Sequence, residues 1–115
     1  MDDPVALGQF EQLVLTAILS LGDKAYGVTI HARIEELAKP RTIKLGAVYA
    51  TLDRLEQKGL LSSKLGSGTP VRAGRARRYY RLKPVGLRAL NDARAAVDNI
   101  WRGHTWPLVK ARSFA

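Results

Sequence analysis

Cysteine is absent from the chain, and aromatic residues make up only 7% of its 115 residues. Without cysteine the protein forms no disulfide, has no thiol nucleophile and binds no zinc through thiolates. His31 and His104 are the only histidines, and no carboxylate pair or third ligand stands near them at metal spacing. We expect His31 to be solvated on the outside of a helix. The sequence therefore predicts no enzyme, no metal and no cofactor.

Long apolar runs are absent as well. No stretch approaches the roughly 20 apolar residues that a membrane helix needs. The first residues show no basic segment followed by an apolar one, so we expect no secretory signal and a bacterial-type cytoplasmic location. A chain of this length has room for one domain with a modest core, and sharing apolar surface with a second copy would help it.

Basic residues outnumber acidic ones. Nineteen Lys and Arg against ten Asp and Glu leave a formal net charge of +9. An anionic polymer is the natural partner for such a chain, and an acidic membrane is the second choice. No helix combines a lysine-rich face with an exposed bulky apolar face, which argues against a membrane surface. A general RNA- or nucleoid-binding protein stays open as the alternative to a DNA-binding one, although Tyr79 and Tyr80 offer few rings for base stacking.

The spacing of apolar residues predicts three helices, two strands and a fourth helix. The helices are expected over 10–21, 26–38 and 46–58, the strands over 60–65 and 77–82, and the last helix over 85–102 with Pro84 at its start. Gly59 suits the left-handed position after the third helix, and Leu60 can pack back on Leu55 as in a Schellman motif. This order, mostly α with a two-stranded β wing (α-α-α-β-β-α), is that of a winged helix-turn-helix.

The third predicted helix has two different faces. Its inward positions are Val48, Leu52 and Leu55. The opposite face combines small residues, which allow close approach, with two side chains suited to base edges or phosphates: Gly46, Ala47, Ala50, Arg54 and Gln57. Tyr49 and Thr51 on the flanks can reach phosphate oxygens. The positive charge of Lys44 at the helix N-terminus is unfavourable for the helix dipole, and a phosphate nearby would offset it. For this helix alone, an ordinary solvated face is the alternative.

The segment between the predicted strands is basic. Residues 64–83 contain no acidic residue and seven basic ones: Lys64, Arg72, Arg75, Arg77, Arg78, Arg81 and Lys83. A hairpin tip with Gly, Pro and arginines can lie along a phosphate backbone or enter a minor groove. We expect Arg72, Arg75, Arg77 and Arg78 to bind DNA phosphates. The alternative is a solvated loop whose charge serves solubility.

These segments together resemble the PadR-like regulators. The resemblance rests on LGAVYATLDRLEQKGLL over 45–61, RRYYRL over 77–82, Gly86, and a similar stretch over 13–27 with Gly22 and the pair Tyr26-Gly27. It covers roughly residues 8–102. It implies a dimeric winged helix-turn-helix repressor with the helix 46–58 in the major groove, the hairpin beside it and Tyr49 on the backbone. Tyr26 joins the expected DNA-binding residues.

Two positions depart from that family. Its members usually carry Ser or Thr where Lys44 stands, and Thr where Lys83 stands, so two helix caps are expected to be missing. The single short last helix resembles the smaller subgroup of the family. Residues 1–83 are then expected to form the DNA-binding domain and 84–102 a dimerisation helix, with 103–115 an unassigned tail.

The first and last helices predict a homodimer. The residues expected in the interface are Phe10, Val14, Leu90, Val97, Ile100 and Trp101, the last four on a near-heptad stripe. A two-fold dimer implies a pseudo-palindromic operator. Several PadR-like members respond to small aromatic compounds, so a planar aromatic effector is expected near Val97 and Trp101. The alternative is that Trp101 only fills the interface.

Overall fold

The computed structural model describes residues 6–66 and 77–102. In this part of the chain the order is α1 (Gln9–Leu21), a short 3₁₀ turn (Gly22–Lys24), α2 (Gly27–Ala38), α3 (Leu45–Gln57), β1 (Leu61–Leu65), β2 (Arg78–Leu82) and α4 (Pro84–Trp101). The predicted order and fold class are confirmed, and each boundary lies within one residue of its prediction. None of the described helices is long and apolar enough to cross a membrane.

One core holds the three helices and the sheet together. Its largest fully buried side chains come from every one of these elements except β2: Leu15 and Ile18, Ile30 and Ile34, Leu52 and Leu55, Leu60 and Leu61. Tyr80 brings β2 into the same cluster. Because α3 buries Val48, Leu52 and Leu55 completely, its inward face is the predicted one, and its position relative to α1 and α2 is fixed by packing.

Val14 belongs to this core, which corrects one expected interface residue. It is fully buried within a single chain and therefore offers no surface to a second copy. The apolar stripe of α1 is wide enough to cover the core on one side, and Val14 falls on that side with Leu15 and Ile18. Leu19 is the large apolar residue of α1 that remains exposed, at 53%.

The end of α3 is set by backbone hydrogen bonds. Gly59 has a φ of 80°, a conformation that glycine adopts at little cost. The Leu60 amide donates to the Leu55 carbonyl and the Gly59 amide to the Glu56 carbonyl, each at 3.0 Å. This is the predicted Schellman motif, and it turns the chain directly from α3 into β1.

A salt bridge connects the same end of α3 to α1. Lys58 Nζ donates to Glu11 Oε2 at 2.9 Å, and the Gly8 amide donates to Glu11 Oε1. Partial burial raises the pKa of Glu11, but the hydrogen bonds from Lys58 and Gly8 outweigh it, so the net pKa is lowered. The pair therefore stabilises the fold above the ordinary carboxyl pKa, and that contribution is lost as the pH falls through the lowered value.

The sheet is a two-stranded antiparallel ribbon, and its β2 edge contacts the residues just before α2. Leu61 pairs with Leu82 at one end and Leu65 with Arg78 at the other. On the open edge of β2, Tyr79 forms a bridge with Tyr26, and the Tyr80 amide donates to the Ala25 carbonyl at 2.9 Å. Tyr26 is therefore extended, and α2 begins one residue later than predicted.

The first half of α4 packs closely on the domain. Gly86 is buried, and a Cβ there would overlap the Leu60 carbonyl, so only glycine allows this approach. Ala89 is buried one turn later and Leu90 contacts the core. From residue 91 onward every described position of α4 is exposed except Ala93, which is half-buried. The second half of the helix therefore extends away from its own chain.

Candidate nucleic-acid interface

The outer face of α3 is exposed and has few large side chains. Gly46, Ala47 and Ala50 are exposed along its first two turns, and Arg54 and Gln57 follow on the same side. Nothing lies within 4 Å of the position where a Gly46 Cβ would stand. This face is therefore free to approach a groove closely, with its long polar side chains at one end.

Thr51 does not lie on the flank of this face as predicted. It is 2% exposed and accepts a hydrogen bond from Arg54 Nη2 at 3.1 Å. The small hydroxyl fits among the core residues and anchors one end of the guanidinium. Arg54 therefore keeps other N–H groups for a ligand while its orientation is partly fixed.

Tyr49 connects α3 to the start of α2. Its ring lies over Gly27, and a Cβ at residue 27 would overlap the Tyr49 hydroxyl. Gly27 is buried beneath it, whereas Tyr49 itself is 42% exposed. The absence of a side chain at residue 27 thus sets the position of an exposed hydroxyl beside the outer face of α3.

The turn before α3 is held by His31, which was wrongly expected to be solvated. Its Nε2 lies 2.6 Å from the Ile43 carbonyl and 3.6 Å from Glu35 Oε2. Because a carbonyl only accepts hydrogen bonds, this nitrogen carries the proton. Lys44 follows as the N-cap of α3, exposed and without a side-chain capping bond. Lys83 at the start of α4 also lacks one, so both missing caps are confirmed.

The base of the wing is joined to the start of α2 by an aromatic cluster. The rings of Tyr26 and Tyr79 meet edge to face with centroids 5.5 Å apart. The Arg77 guanidinium lies 4.4 Å from the centroid of the Tyr26 ring. The Tyr79 hydroxyl and then Tyr26 raise the pKa of Arg77 further above its ordinary value. Arg77 is therefore a fixed, fully charged group beside the helix-turn-helix.

Arg78 has different partners from its neighbour. Its Nη1 donates to Ser63 Oγ at 3.0 Å, and Ser63 Oγ donates to Glu56 Oε2 at 2.7 Å. Sequence reasoning missed Ser63 and Glu56 because a serine and a glutamate at these positions have no distinctive spacing. The other two wing arginines expected to bind DNA, Arg72 and Arg75, lie outside the described residues.

The residues expected in the dimer interface fall into two groups, and the two expected effector residues, Val97 and Trp101, belong to the second group. Phe10 and Leu90 are half-buried against the core of their own chain. Val97, Ile100 and Trp101 are exposed near the end of α4, Ile100 most of all at 60%. No cluster of three potential metal ligands occurs within residues 6–66 and 77–102.

Two hollows border the sheet. One, of about 460 Å³, is lined mainly by polar residues of the two strands and the 3₁₀ turn. The other, of about 390 Å³, lies between α1, the end of β2 and the start of α4, and its apolar lining includes Leu19, Leu82, Pro84 and Leu87. Neither is lined by Val97 or Trp101.

Helices α2 and α3 form a helix-turn-helix, and the exposed face of α3 has small residues that allow close approach. Together with a basic β wing, this arrangement is typical of a class of DNA-binding protein. The model of the transcriptional regulator PadR-like family matches residues 14–92, which is more than half of the chain. The chain belongs to this family of transcriptional regulators.

Individual relatives are similar to the chain in sequence or in fold. A transcriptional regulator of Mycobacterium tuberculosis is 46% identical over 57 residues, which cover 50% of this chain and 50% of that protein. The chain thus spans about half the length of the curated relative it matches. The structure of a PadR family transcription regulator from hypervirulent Clostridium difficile superimposes with a TM-score of 0.66 at 24% identity, covering 82% of this chain and 95% of the other. A PadR-like transcription factor from Bacteroides fragilis gives 0.64 at 26% identity, with coverages of 81% and 84%.

Proposed function

We propose that the protein is a repressor that binds a pseudo-palindromic operator as a homodimer, within a bacterial-type cytoplasm. The observation that supports this most is the outer face of α3, where small exposed residues stand beside Arg54 and Gln57. A dimer bound at a promoter covers the DNA and prevents RNA polymerase from binding. Repression of this kind requires no further partner.

In this proposal α3 enters the major groove. Gly46, Ala47 and Ala50 let the helix backbone approach the bases, and Arg54 and Gln57 donate to base edges. Lys44 and Tyr49 flank the helix, where an ammonium and a hydroxyl reach phosphate oxygens. Tyr26 and the basic wing continue the contact along the neighbouring backbone.

Replacing Arg54 with alanine tests this orientation. We expect Arg54→Ala to weaken operator binding by about 1–3 kcal/mol and to relax the preference at one base position, because a guanidinium that reads a base edge contributes to sequence discrimination. Binding to random duplex should change much less. Titration of both DNAs by fluorescence anisotropy measures the difference.

Arg88→Ala is the matched control, since it removes the same charge from an exposed position on α4. It should leave the ratio of operator to random affinity unchanged. Equal losses on both DNAs for Arg54→Ala would mean that this arginine binds phosphate and that α3 presents another face to the bases.

The dimer is supported by apolar surface that one chain leaves uncovered. Val97, Ile100 and Trp101 stand exposed on the part of α4 that extends beyond its own domain. The apolar hollow between α1 and α4 adds exposed Leu19 and Leu87 to this surface. Exposed apolar groups concentrated on two helices are typical of an interface.

Sedimentation at micromolar concentration tests the dimer. The protein should sediment as a dimer without DNA, and Ile100→Asp should convert it to a monomer because a charge would be buried without a partner. Asn99→Asp adds the same charge on the opposite side of α4 and should stay dimeric. A monomeric wild-type protein, or a footprint without two-fold symmetry and half-sites about one helical turn apart, would contradict the proposal.

We also propose that an aromatic effector binds near Trp101. Two α4 helices that cross near Trp101 would enclose a space between chains, and the flat indole and Val97 could hold a planar ring. With Trp106→Phe as background, planar aromatic compounds should quench Trp101 emission saturably and shift operator affinity at the same concentrations. If no compound in a broad panel changes either signal, Trp101 is only part of the dimer contact.

A further inference from the structure

Arg77 and Arg78 are adjacent, equally charged and both exposed, yet the strand directs them to opposite faces of the wing. Arg77 shares one face with Tyr79 and contacts Tyr26. Arg78 shares the other face with Ser63 and reaches its hydroxyl. Two neighbouring side chains on opposite faces of one ribbon cannot both lie along the same stretch of phosphate backbone.

The partners of Arg78 form a chain of hydrogen bonds across three elements. Arg78 on β2 donates to Ser63 on β1, and Ser63 donates to Glu56 in the last turn of α3. Ser63 and Glu56 are both half-buried, and Ser63 Oγ lies 2.7 Å from Glu56 Oε2. A hydrogen bond to a carboxylate is stronger than one between neutral groups. These two hydrogen bonds therefore fix the position of the wing relative to α3.

The charge environments of the two arginines also differ. Glu56 lies two hydrogen bonds from Arg78, so a phosphate bound to Arg78 would stand near a carboxylate. Arg77 has aromatic partners and no ion pair within the part of the chain that the structure describes. A guanidinium over a ring keeps its charge and its remaining N–H groups available to an oxygen acceptor.

We propose that the two arginines have different roles in DNA binding. Arg77 binds a DNA phosphate, and Arg78 is a positioning residue that holds the wing to α3 through Ser63 and Glu56. The assignment rests on the DNA binding described above and differs from the expectation that both arginines bind phosphate. A wing held in place before binding loses less conformational freedom on the DNA, which raises affinity without an added contact.

The dependence of affinity on salt separates the two roles. Each phosphate neutralised contributes about −0.9 to the slope of log affinity against log salt. Arg77→Ala should therefore make the slope shallower by about 0.9 per protomer. Arg78→Ala should keep the wild-type slope and lower affinity by roughly 2- to 30-fold at every salt concentration, the range found for residues that act through a network.

Ser63→Ala provides the sharpest comparison because it changes no charge. It should reduce affinity as much as Arg78→Ala, and the double variant should be no weaker than either single one, since all three break the same chain. Ser63→Thr keeps the hydroxyl and should restore binding. Arg88→Ala controls for the loss of one positive charge, and thermal unfolding shows that each variant is folded.

These titrations use random duplex DNA as well as the operator, so their outcome does not depend on the operator or the dimer. A slope that becomes as shallow for Arg78→Ala as for Arg77→Ala would overturn the division, because Arg78 would then bind phosphate. Wild-type affinity for Ser63→Ala would overturn it too. A footprint without two-fold symmetry would instead count against the proposed repressor and leave the two slopes to decide this assignment.

Discussion

Between 50 and 200 mM salt, the affinity of the protein for duplex DNA is expected to fall by about three to five orders of magnitude. That range corresponds to roughly six to ten phosphate contacts, each of which releases condensed counterions. Two chains carry a formal charge of +18, twice the +9 of one chain. Three to five contacts per protomer would come from the flanks of α3 and from the wing.

Fluorescence anisotropy with a labelled duplex at four or five salt concentrations measures this slope. A single-stranded RNA with the same number of phosphates serves as the control, since α3 and the wing fit grooves that a single strand does not have. The duplex should bind more tightly at every salt concentration. Equal affinity for the RNA would favour a general nucleic-acid-binding protein, the alternative that the basic composition leaves open.

The sequence allowed the elements to be predicted because each carries local signals. Gly59 marks the end of α3, and its positive φ and two Schellman hydrogen bonds depend only on neighbouring residues. The inward face of α3 follows from helical spacing alone, and Val48, Leu52 and Leu55 are fully buried. Local chemistry of this kind can be read from a sequence without knowing what packs against it.

The errors concern contacts between residues distant in sequence. Val14 was expected on the dimer surface because apolar spacing cannot tell a core shared within one chain from one shared between two. His31 was expected in solvent, yet its partner Ile43 lies twelve residues away. Ser63 and Glu56 acquire a role only when the register of the sheet brings Arg78 beside them.

Truncation of Leu52 should produce the largest loss of stability. Its side chain is fully buried in α3 among residues of α1, α2 and the sheet. Leu52→Ala is expected to lower the free energy of unfolding by about 2–5 kcal/mol, because it removes buried methyl groups and leaves a cavity. Against a total of about 5–15 kcal/mol, this is a large fraction for one side chain.

Urea unfolding at a fixed protein concentration measures the effect, because dimer formation makes stability depend on concentration. Gln57→Ala is the matched control on the same helix, exposed and on the opposite face, and should change stability by no more than about 0.5 kcal/mol. Operator affinity should fall with Leu52→Ala even where the protein remains folded, since a loosened α3 no longer holds Arg54 in place. If both variants unfolded at the same urea concentration, α3 would not be packed through Leu52, and the assignment of its outer face to DNA would lose its structural basis.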